Sequence, residues 1–129
     1  MSRDFPRRNG FARRDDLEHP VLASHRNRCV EENRRFCGAS ALGWSRQWEY
    51  PYVLSHLDDQ PDTRRILDAG SGWRFFAPTL ARQGFDVTAC DVDGSAKSRY
   101  RQLARKENLA LRFDVEDLAA LSYEDGRFD

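Results

Sequence analysis

Residues 66–72 read Ile-Leu-Asp-Ala-Gly-Ser-Gly, and this stretch decides the fold of the chain. An apolar run ends in a carboxylate and leads into two glycines that are separated by one small residue. This pattern is typical of a buried parallel strand that opens into a tight turn facing a ligand. The glycines allow the sharp turn, and they allow a ligand to approach the backbone without meeting a Cβ atom.

A second apolar run, at residues 85–90, ends in Asp91. An acid at the tip of a second strand, about 20 residues beyond the glycines, is placed to accept hydrogen bonds from ribose hydroxyls. The sequence therefore predicts the first half of an α/β domain that binds a nucleoside cofactor. A nicotinamide-nucleotide oxidoreductase is the disfavoured alternative, because Phe75 stands where the dinucleotide fingerprint requires its third glycine.

The glycine-rich stretch resembles the first motif of class I S-adenosylmethionine-dependent methyltransferases, which is roughly apolar-apolar-Asp/Glu-x-Gly-x-Gly-x-Gly. Asp68, Gly70 and Gly72 match that motif, whereas Arg74 replaces its last glycine. Asp91 matches the acid that follows the family's second strand.

Two later segments extend the resemblance. Residues 113–118 look like the family's third motif, and residues 125–129 look like the lead-in to its fourth strand. Four landmarks in the right order make the resemblance fairly specific, and it covers roughly residues 46–129.

The resemblance implies S-adenosylmethionine as the cofactor. It implies that Asp68 holds the amino group of the cofactor, that Asp91 grips the ribose hydroxyls, and that Asp114 accepts a hydrogen bond from the adenine amine beside the Val115 backbone. Two interpretations of the Arg74 side chain are left open: it pairs with the cofactor's carboxylate, or it points into solvent. The predicted cofactor-binding residues are Asp68, Gly70, Ser71, Gly72, Arg74, Asp91, Val92, Asp114 and Val115.

Methyl transfer to an acceptor is the activity that the resemblance implies. The acceptor attacks the activated methyl group directly, so catalysis rests on holding donor and acceptor in line. The sequence identifies neither the acceptor nor a catalytic base. The alternative is an inactive, truncated cofactor-binding or interaction fragment.

The predicted fold is α/β: a Rossmann-like three-layer sandwich with an incomplete parallel sheet, preceded by N-terminal helices. Strands are predicted at residues 64–68, 85–91 and 109–113, and helices at 75–83 and 96–107. Right-handed crossovers place the three strands in the spatial order 3-2-1.

Three strands are fewer than the roughly seven that the resemblance implies. We therefore expect either a fragment or a second chain that completes the sheet. In the chain alone the first strand lacks its other neighbour, which leaves an apolar edge exposed, and such an edge predicts marginal stability or aggregation.

The predicted organisation has three parts. Residues 1–20 form a flexible basic tail, residues 21–60 a helical segment with helices at 21–37 and 46–57, and residues 61–129 the partial cofactor-binding domain. For the tail, a solvated terminus is favoured over an anchor for an anionic partner.

Composition restricts the partners and the compartment. The chain has 21 basic and 21 acidic residues, so its balanced charge argues against nucleic acid and membrane surfaces as partners. No apolar run is long enough to span a bilayer. Three cysteines without Cys-x-x-Cys spacing favour free thiols in a reducing cytoplasm. No metal is predicted, because His25, Cys29 and Cys37 lack a fourth zinc ligand.

Two further groups of residues have more than one interpretation. The first is a group of basic residues, which we interpret as a solvated helix face in preference to an RNA-contacting patch. The second is a group of aromatic residues, which we interpret as core packing in preference to a cover over the cofactor. The basic residues are Lys97, Arg99, Arg101, Arg105 and Lys106, and the aromatic residues are Trp44, Trp48, Tyr50 and Tyr52.

Overall fold

The computed structural model describes residues 13–39, 41–43, 45–57 and 64–129. Most of the predicted basic tail and Trp44 therefore lie outside the described residues. The chain divides into two compact units, Met1–Gln60 and Pro61–Asp129, and each is described by itself.

The described residues of the first unit form three helices, α1 (Arg14–Leu17), α2 (Pro20–Cys37) and α3 (Arg46–Leu57). Helix α2 packs against α3. The buried apolar side chains of these two helices include Leu22, Cys29 and Leu54. Among the described helices, none combines the length and the apolar character that crossing a membrane requires.

Two helices begin within the stretch that was predicted as a basic tail, α1 at Arg14 and α2 at Pro20. Helix α1 is capped by the Asp16 carboxylate, which accepts a hydrogen bond from the Arg13 N–H at 2.8 Å. Helix α2 begins at Pro20, whose fixed φ suits the first helical position, while the His19 ring accepts from the Val21 N–H at 3.3 Å.

The second unit carries the sheet, which consists of β1 (Arg65–Ala69), β2 (Asp86–Asp91) and β3 (Leu111–Val115). All pairings are parallel and the spatial order is β1-β2-β3, which is the predicted 3-2-1 order in reverse. The α/β Rossmann-like fold class is thereby confirmed.

Two helices connect the strands, α4 (Phe76–Arg82) and α5 (Lys97–Glu107), and a 3₁₀ turn (Gly94–Ala96) precedes α5. Right-handed crossovers in one direction place both helices on the same face of the sheet. The Arg82 guanidinium donates to the Glu107 carboxylate at 2.6 and 3.0 Å and joins the two helices there. The second helical layer of the expected three-layer sandwich stays a prediction.

The third strand lies two residues later than predicted. Asn108 ends α5 with φ +52°, and the Leu109 N–H still donates to the Ala104 carbonyl at 2.9 Å. The residues that were predicted to begin the strand therefore belong to the C-terminal cap of α5. As a consequence, Asp114 and Val115 are the last residues of β3 and not the beginning of a loop.

The core of this unit lies between the sheet and its two helices. Tyr100 of α5 is fully buried, and its ring stacks on Phe113 of β3 with centroids 5.3 Å apart. Hydrophobic burial of this kind stabilises a fold by about 25 cal/mol per Å² of apolar surface. The other buried apolar residues include Phe75, Phe76, Ala77, Leu80, Val87, Ala89, Cys90, Ala96 and Leu111.

The outer edge of β1 is only partly covered. The Asp86 N–H donates to the Arg64 carbonyl, so even-numbered residues of β1 turn their backbone groups toward β2. Odd-numbered residues face the other edge, where the Asp129 N–H donates to the Arg65 carbonyl at 3.0 Å. Among the described residues, none pairs with the backbone groups of Leu67 and Ala69 at that edge.

We expect Tyr100→Phe to destabilise the second unit. The hydroxyl donates to the Gly72 carbonyl at 2.9 Å and accepts from the Arg74 N–H at 3.2 Å, so its loss leaves two partly buried backbone groups without this partner. That loss costs about 1–3 kcal/mol. Amide hydrogen exchange of β2 would measure it, and Tyr123→Phe, at a more exposed ring, should cost less. Unchanged protection in Tyr100→Phe would contradict the role of this hydroxyl.

The ion pair at the start of β1 predicts a pH dependence. The Arg65 guanidinium donates to the Asp129 carboxylate at 2.7 and 3.1 Å and holds the pKa of Asp129 well below its ordinary value of 3.8. Because the folded pKa is lowered, the pair contributes stability above the ordinary value, and this contribution is lost as the pH falls through the lowered pKa. NMR titration should give a midpoint below 3.8, and Arg65→Gln should raise it. Equal midpoints in both chains would contradict the assignment.

Candidate functional site

The turn after β1 has the geometry that its glycines permit. Gly70 has φ +70° and Gly72 has φ +52°, which is the left-handed region that residues with a Cβ atom rarely adopt. Between them Ser71 is buried, and its N–H donates to the Cys90 carbonyl at 3.0 Å. The turn is therefore hydrogen-bonded to the end of β2, and Gly70 is exposed at the carboxyl edge of the sheet.

Asp91 at the end of β2 joins two loops. One oxygen, Oδ2, accepts from the Gly72 N–H at 3.0 Å, and the other, Oδ1, accepts from the Asp93 N–H at 3.1 Å. A Cβ atom at Gly72 would lie 4.0 Å from Asp91 Oδ2. The structure thus brings the glycine turn and the second-strand acid into direct contact. The sequence had indicated only that they are separated by about 20 residues.

Tyr100 holds the same turn in place through hydrogen bonds. Its hydroxyl lies 2.9 Å from the Gly72 carbonyl oxygen and 3.1 Å from the Arg74 carbonyl oxygen, and it accepts from the Arg74 N–H. The Trp73 ring meets the Tyr100 ring edge-on at 4.9 Å. Because Tyr100 is fully buried, its position is fixed, and it holds the three residues after Ser71 in place.

The other two predicted residues of the turn region differ in exposure. Asp68 is half-buried and pairs in register with Ala89, directly before the glycine turn. The Arg74 side chain is exposed. Its backbone, and not its guanidinium, makes the contact with Tyr100.

Asp114 is held by a second tyrosine. The Tyr123 hydroxyl donates to Asp114 Oδ2 at 2.9 Å. Burial, together with this hydrogen bond and the charge of Asp114, raises the pKa of Tyr123 well above its ordinary range, so the phenol keeps its proton as a donor. Burial likewise raises the pKa of the neighbouring Cys90 thiol. The predicted adenine acceptor therefore already has one protein partner.

Apolar side chains surround the carboxyl edge of the sheet. Val92, Val115 and Leu118 are each more than half exposed. Leu118 lies over the glycine turn, since a Cβ atom at Gly70 would come within 3.6 Å of Leu118 Cδ1. A Cβ atom at Gly94 would come within 2.9 Å of Val115 Cγ2, so the segments after β2 and β3 lie close together. These side chains offer an apolar surface beside the polar groups of Asp91.

The segment after β3 is ordered by its own hydrogen bonds. The Ser122 N–H donates to the Glu116 carboxylate at 3.0 Å, and the Ser122 hydroxyl donates to the other oxygen. These bonds hold the pKa of Glu116 below its ordinary value. The Phe128 ring packs edge-on against Tyr123 at 5.0 Å. Such contacts keep Tyr123 in position over Asp114.

The cysteines and histidines form no metal centre in the part of the chain that the structure describes. No group of three or more His, Cys, Asp or Glu residues there could hold a metal ion. Burial raises the pKa of the Cys29 thiol to about 12, which keeps it protonated and poorly suited to ligate a metal. All three cysteines are free thiols.

Sequence reasoning missed two residues of this site. Neither Tyr100 nor Tyr123 was predicted as a site residue. An isolated aromatic residue carries no periodic signal, and its hydroxyl partners lie 9 to 28 residues away along the chain. Only the folded backbone brings these groups within hydrogen-bond distance.

Comparison with known proteins agrees with this geometry. Residues 66–129 match the family model described as a methyltransferase domain, and proteins of this family generally bind S-adenosylmethionine. No curated protein matches the chain. The match begins at β1 and includes the glycine turn, Asp91 and Asp114. This match supports a class I S-adenosylmethionine-dependent methyltransferase domain at residues 66–129.

Proposed function

We propose that the second unit binds S-adenosylmethionine and presents its methyl group to an acceptor. The observation that carries this proposal is the 3.0 Å hydrogen bond between the Gly72 N–H and Asp91 Oδ2. It holds a glycine turn and an acid side by side at the carboxyl ends of two parallel strands. Open α/β sheets bind their ligands at that edge.

The amino-acid end and the ribose of the cofactor occupy adjacent positions in this proposal. The turn at Gly70 and Gly72, which carries no Cβ atom at either position, approaches the amino-acid portion, and Asp68 holds its cationic amino group. The ribose hydroxyls donate to Asp91. Each oxygen of Asp91 already accepts one backbone N–H, but a carboxylate oxygen has two lone pairs and can accept one hydroxyl in addition.

The adenine lies against the apolar side chains Val92, Val115 and Leu118, which are exposed beside the ribose position. Its exocyclic amine donates to Asp114. Tyr123 occupies only Asp114 Oδ2, and Oδ1 accepts from no donor among the described residues. The tyrosine therefore orients the acid for the amine and does not compete for the same oxygen.

The chemistry that we propose is direct displacement. When bound, S-adenosylmethionine supplies an activated methyl group. The residues of the turn and the strand ends fix the cofactor, so that an acceptor in line with the methyl can attack. None of the site residues is assigned as a base in this proposal.

Titration calorimetry with S-adenosylhomocysteine tests the cofactor site. We expect the 129-residue chain to bind it and Asp91→Ala to weaken binding by roughly tenfold to a hundredfold. The reason is that hydrogen bonds to a charged group contribute about 1.5–3 kcal/mol. Asp125→Ala removes an exposed acid of the same unit away from the strand ends and should leave affinity unchanged.

Two outcomes would count against this proposal. Equal affinity in Asp91→Ala and Asp125→Ala would remove Asp91 from the site. Tighter binding of NADH than of S-adenosylhomocysteine would favour the oxidoreductase alternative. Circular dichroism of each variant separates loss of binding from loss of folding.

We also propose that a strand from a second chain pairs with the free edge of β1. The backbone groups of Leu67 and Ala69 support this proposal, because they face away from β2 and lack a partner among the described residues. Exposed strand edges of this kind pair readily with other strands.

Self-association of the chain tests whether the free edge of β1 pairs with a strand of a second chain. We expect sedimentation velocity to detect concentration-dependent assembly, and Ala69→Pro to reduce it. The proline removes an N–H from the free edge and leaves the bonds to β2 intact. Assembly of the variant equal to that of the parent chain would exclude this edge as the contact.

A further inference from the structure

A groove of about 520 Å³ lies between α5 and the edge strand β3. Its floor is apolar and includes Ala104, Leu109 and Leu111. The wall formed by α5 is basic and carries Lys97, Arg101 and Arg105. This groove includes none of the residues of the glycine turn, so it is separate from the carboxyl-edge site except where it reaches Asp114.

The three cations are arranged at regular spacing. Lys97, Arg101 and Arg105 are four residues apart, so they recur along one side of the helix with a rise of about 6 Å. All three are exposed, and in the described part of the chain none takes part in an ion pair. The acid on α5, Glu107, is already bound to Arg82. The wall is therefore a row of uncompensated positive charge.

The strand side of the groove offers unpaired backbone groups. The Val87 N–H donates to the Ala110 carbonyl, and the Glu116 N–H donates to the Asp91 carbonyl. Even-numbered residues of this segment therefore face β2. By alternation, the N–H and C=O groups of Leu111 and Phe113 face the outer edge, where no described residue pairs with them.

We propose that this groove binds an extended acidic peptide, which adds to the sheet as a strand beside β3. An added strand donates and accepts backbone hydrogen bonds alternately, which is the pattern that Leu111 and Phe113 leave unsatisfied. Side chains on one face of that strand recur every two residues, at about 6.6–6.8 Å. That spacing is close to the spacing of the cations on α5, so acidic side chains at alternate positions face Lys97, Arg101 and Arg105.

The groove fits such a peptide better than it fits a nucleic acid. Phosphate oxygens only accept hydrogen bonds, whereas the edge of β3 presents carbonyl acceptors as well as N–H donors. The apolar floor suits the alternate side chains of a strand. Asp114 at one end of the groove repels a continuous polyanion, but a peptide can place an uncharged residue there.

Fluorescence anisotropy tests the proposal with a labelled nine-residue peptide in which Glu and Val alternate. At low ionic strength, where screening is weak, we expect this peptide to bind the full chain. Arg101→Glu should weaken binding at least about tenfold, since it replaces an attraction by a repulsion. The matched control Arg127→Glu makes the same change on an exposed residue outside the groove and should alter affinity by less than about twofold.

Backbone pairing is tested separately from charge. A peptide of the same sequence, N-methylated at the residues that face β3, should lose binding. Amide exchange should slow at Leu111 and Phe113 when the unmodified peptide binds, and it should not slow at Leu67 and Ala69.

Three results would overturn the proposal. Undiminished binding of the N-methylated peptide would show that the peptide binds by charge attraction alone and forms no backbone hydrogen bonds with β3. Tighter binding of an oligouridylate, lost in Arg101→Glu, would identify a nucleic-acid surface. Loss of self-association in Arg101→Glu would identify a second copy of the chain as the occupant. These measurements do not depend on S-adenosylhomocysteine, so the cofactor proposal and this one can fail independently.

Discussion

The hydrogen bond from the Gly72 N–H to Asp91 Oδ2 connects the ends of β1 and β2, and the site depends on it. The bond requires the backbone of Gly72 to adopt φ +52°, a conformation that costs a residue with a Cβ atom roughly 1–2 kcal/mol. It also requires a side-chain oxygen that can accept a hydrogen bond at the end of β2, and Asp91 supplies it. One short contact therefore explains why the turn needs glycine and why the strand must end in an acid.

Two tyrosines convert this local contact into a fixed site. Tyr100 is fully buried between the sheet and α5, and its single hydroxyl satisfies backbone groups on both sides of Trp73. Tyr123 reaches Asp114 from the segment after β3. In both cases an aromatic ring supplies the packing and a hydroxyl supplies the orientation, which is how a buried tyrosine contributes without an unsatisfied polar group.

Charge is segregated in the second unit although the whole chain is neutral. Acids lie at the carboxyl ends of the strands, at Asp68, Asp91 and Asp114, whereas a group of cations lies on α5. Asp91 contacts the glycine turn, whereas Lys97, Arg101 and Arg105 line the groove beside β3, which reaches Asp114 at one end. A net charge of zero therefore says little about either surface, because charges on different elements act within about 10 Å at ordinary ionic strength.

The sequence by itself determined the α/β class, the order of the three strands and the positions of the glycine turn and Asp91. These features follow from apolar runs, glycines and acids that are close together along the chain, where local backbone preferences decide the conformation. The bounds of β3 were wrong by two residues, because the cap of α5 at Asn108 extends into the segment that was assigned to the strand. Only the tertiary structure decided which hydroxyl groups support the turn and Asp114, and which edges of the sheet remain unpaired. Those contacts join residues far apart in sequence, and their partners are set by packing of the whole unit and not by any local pattern.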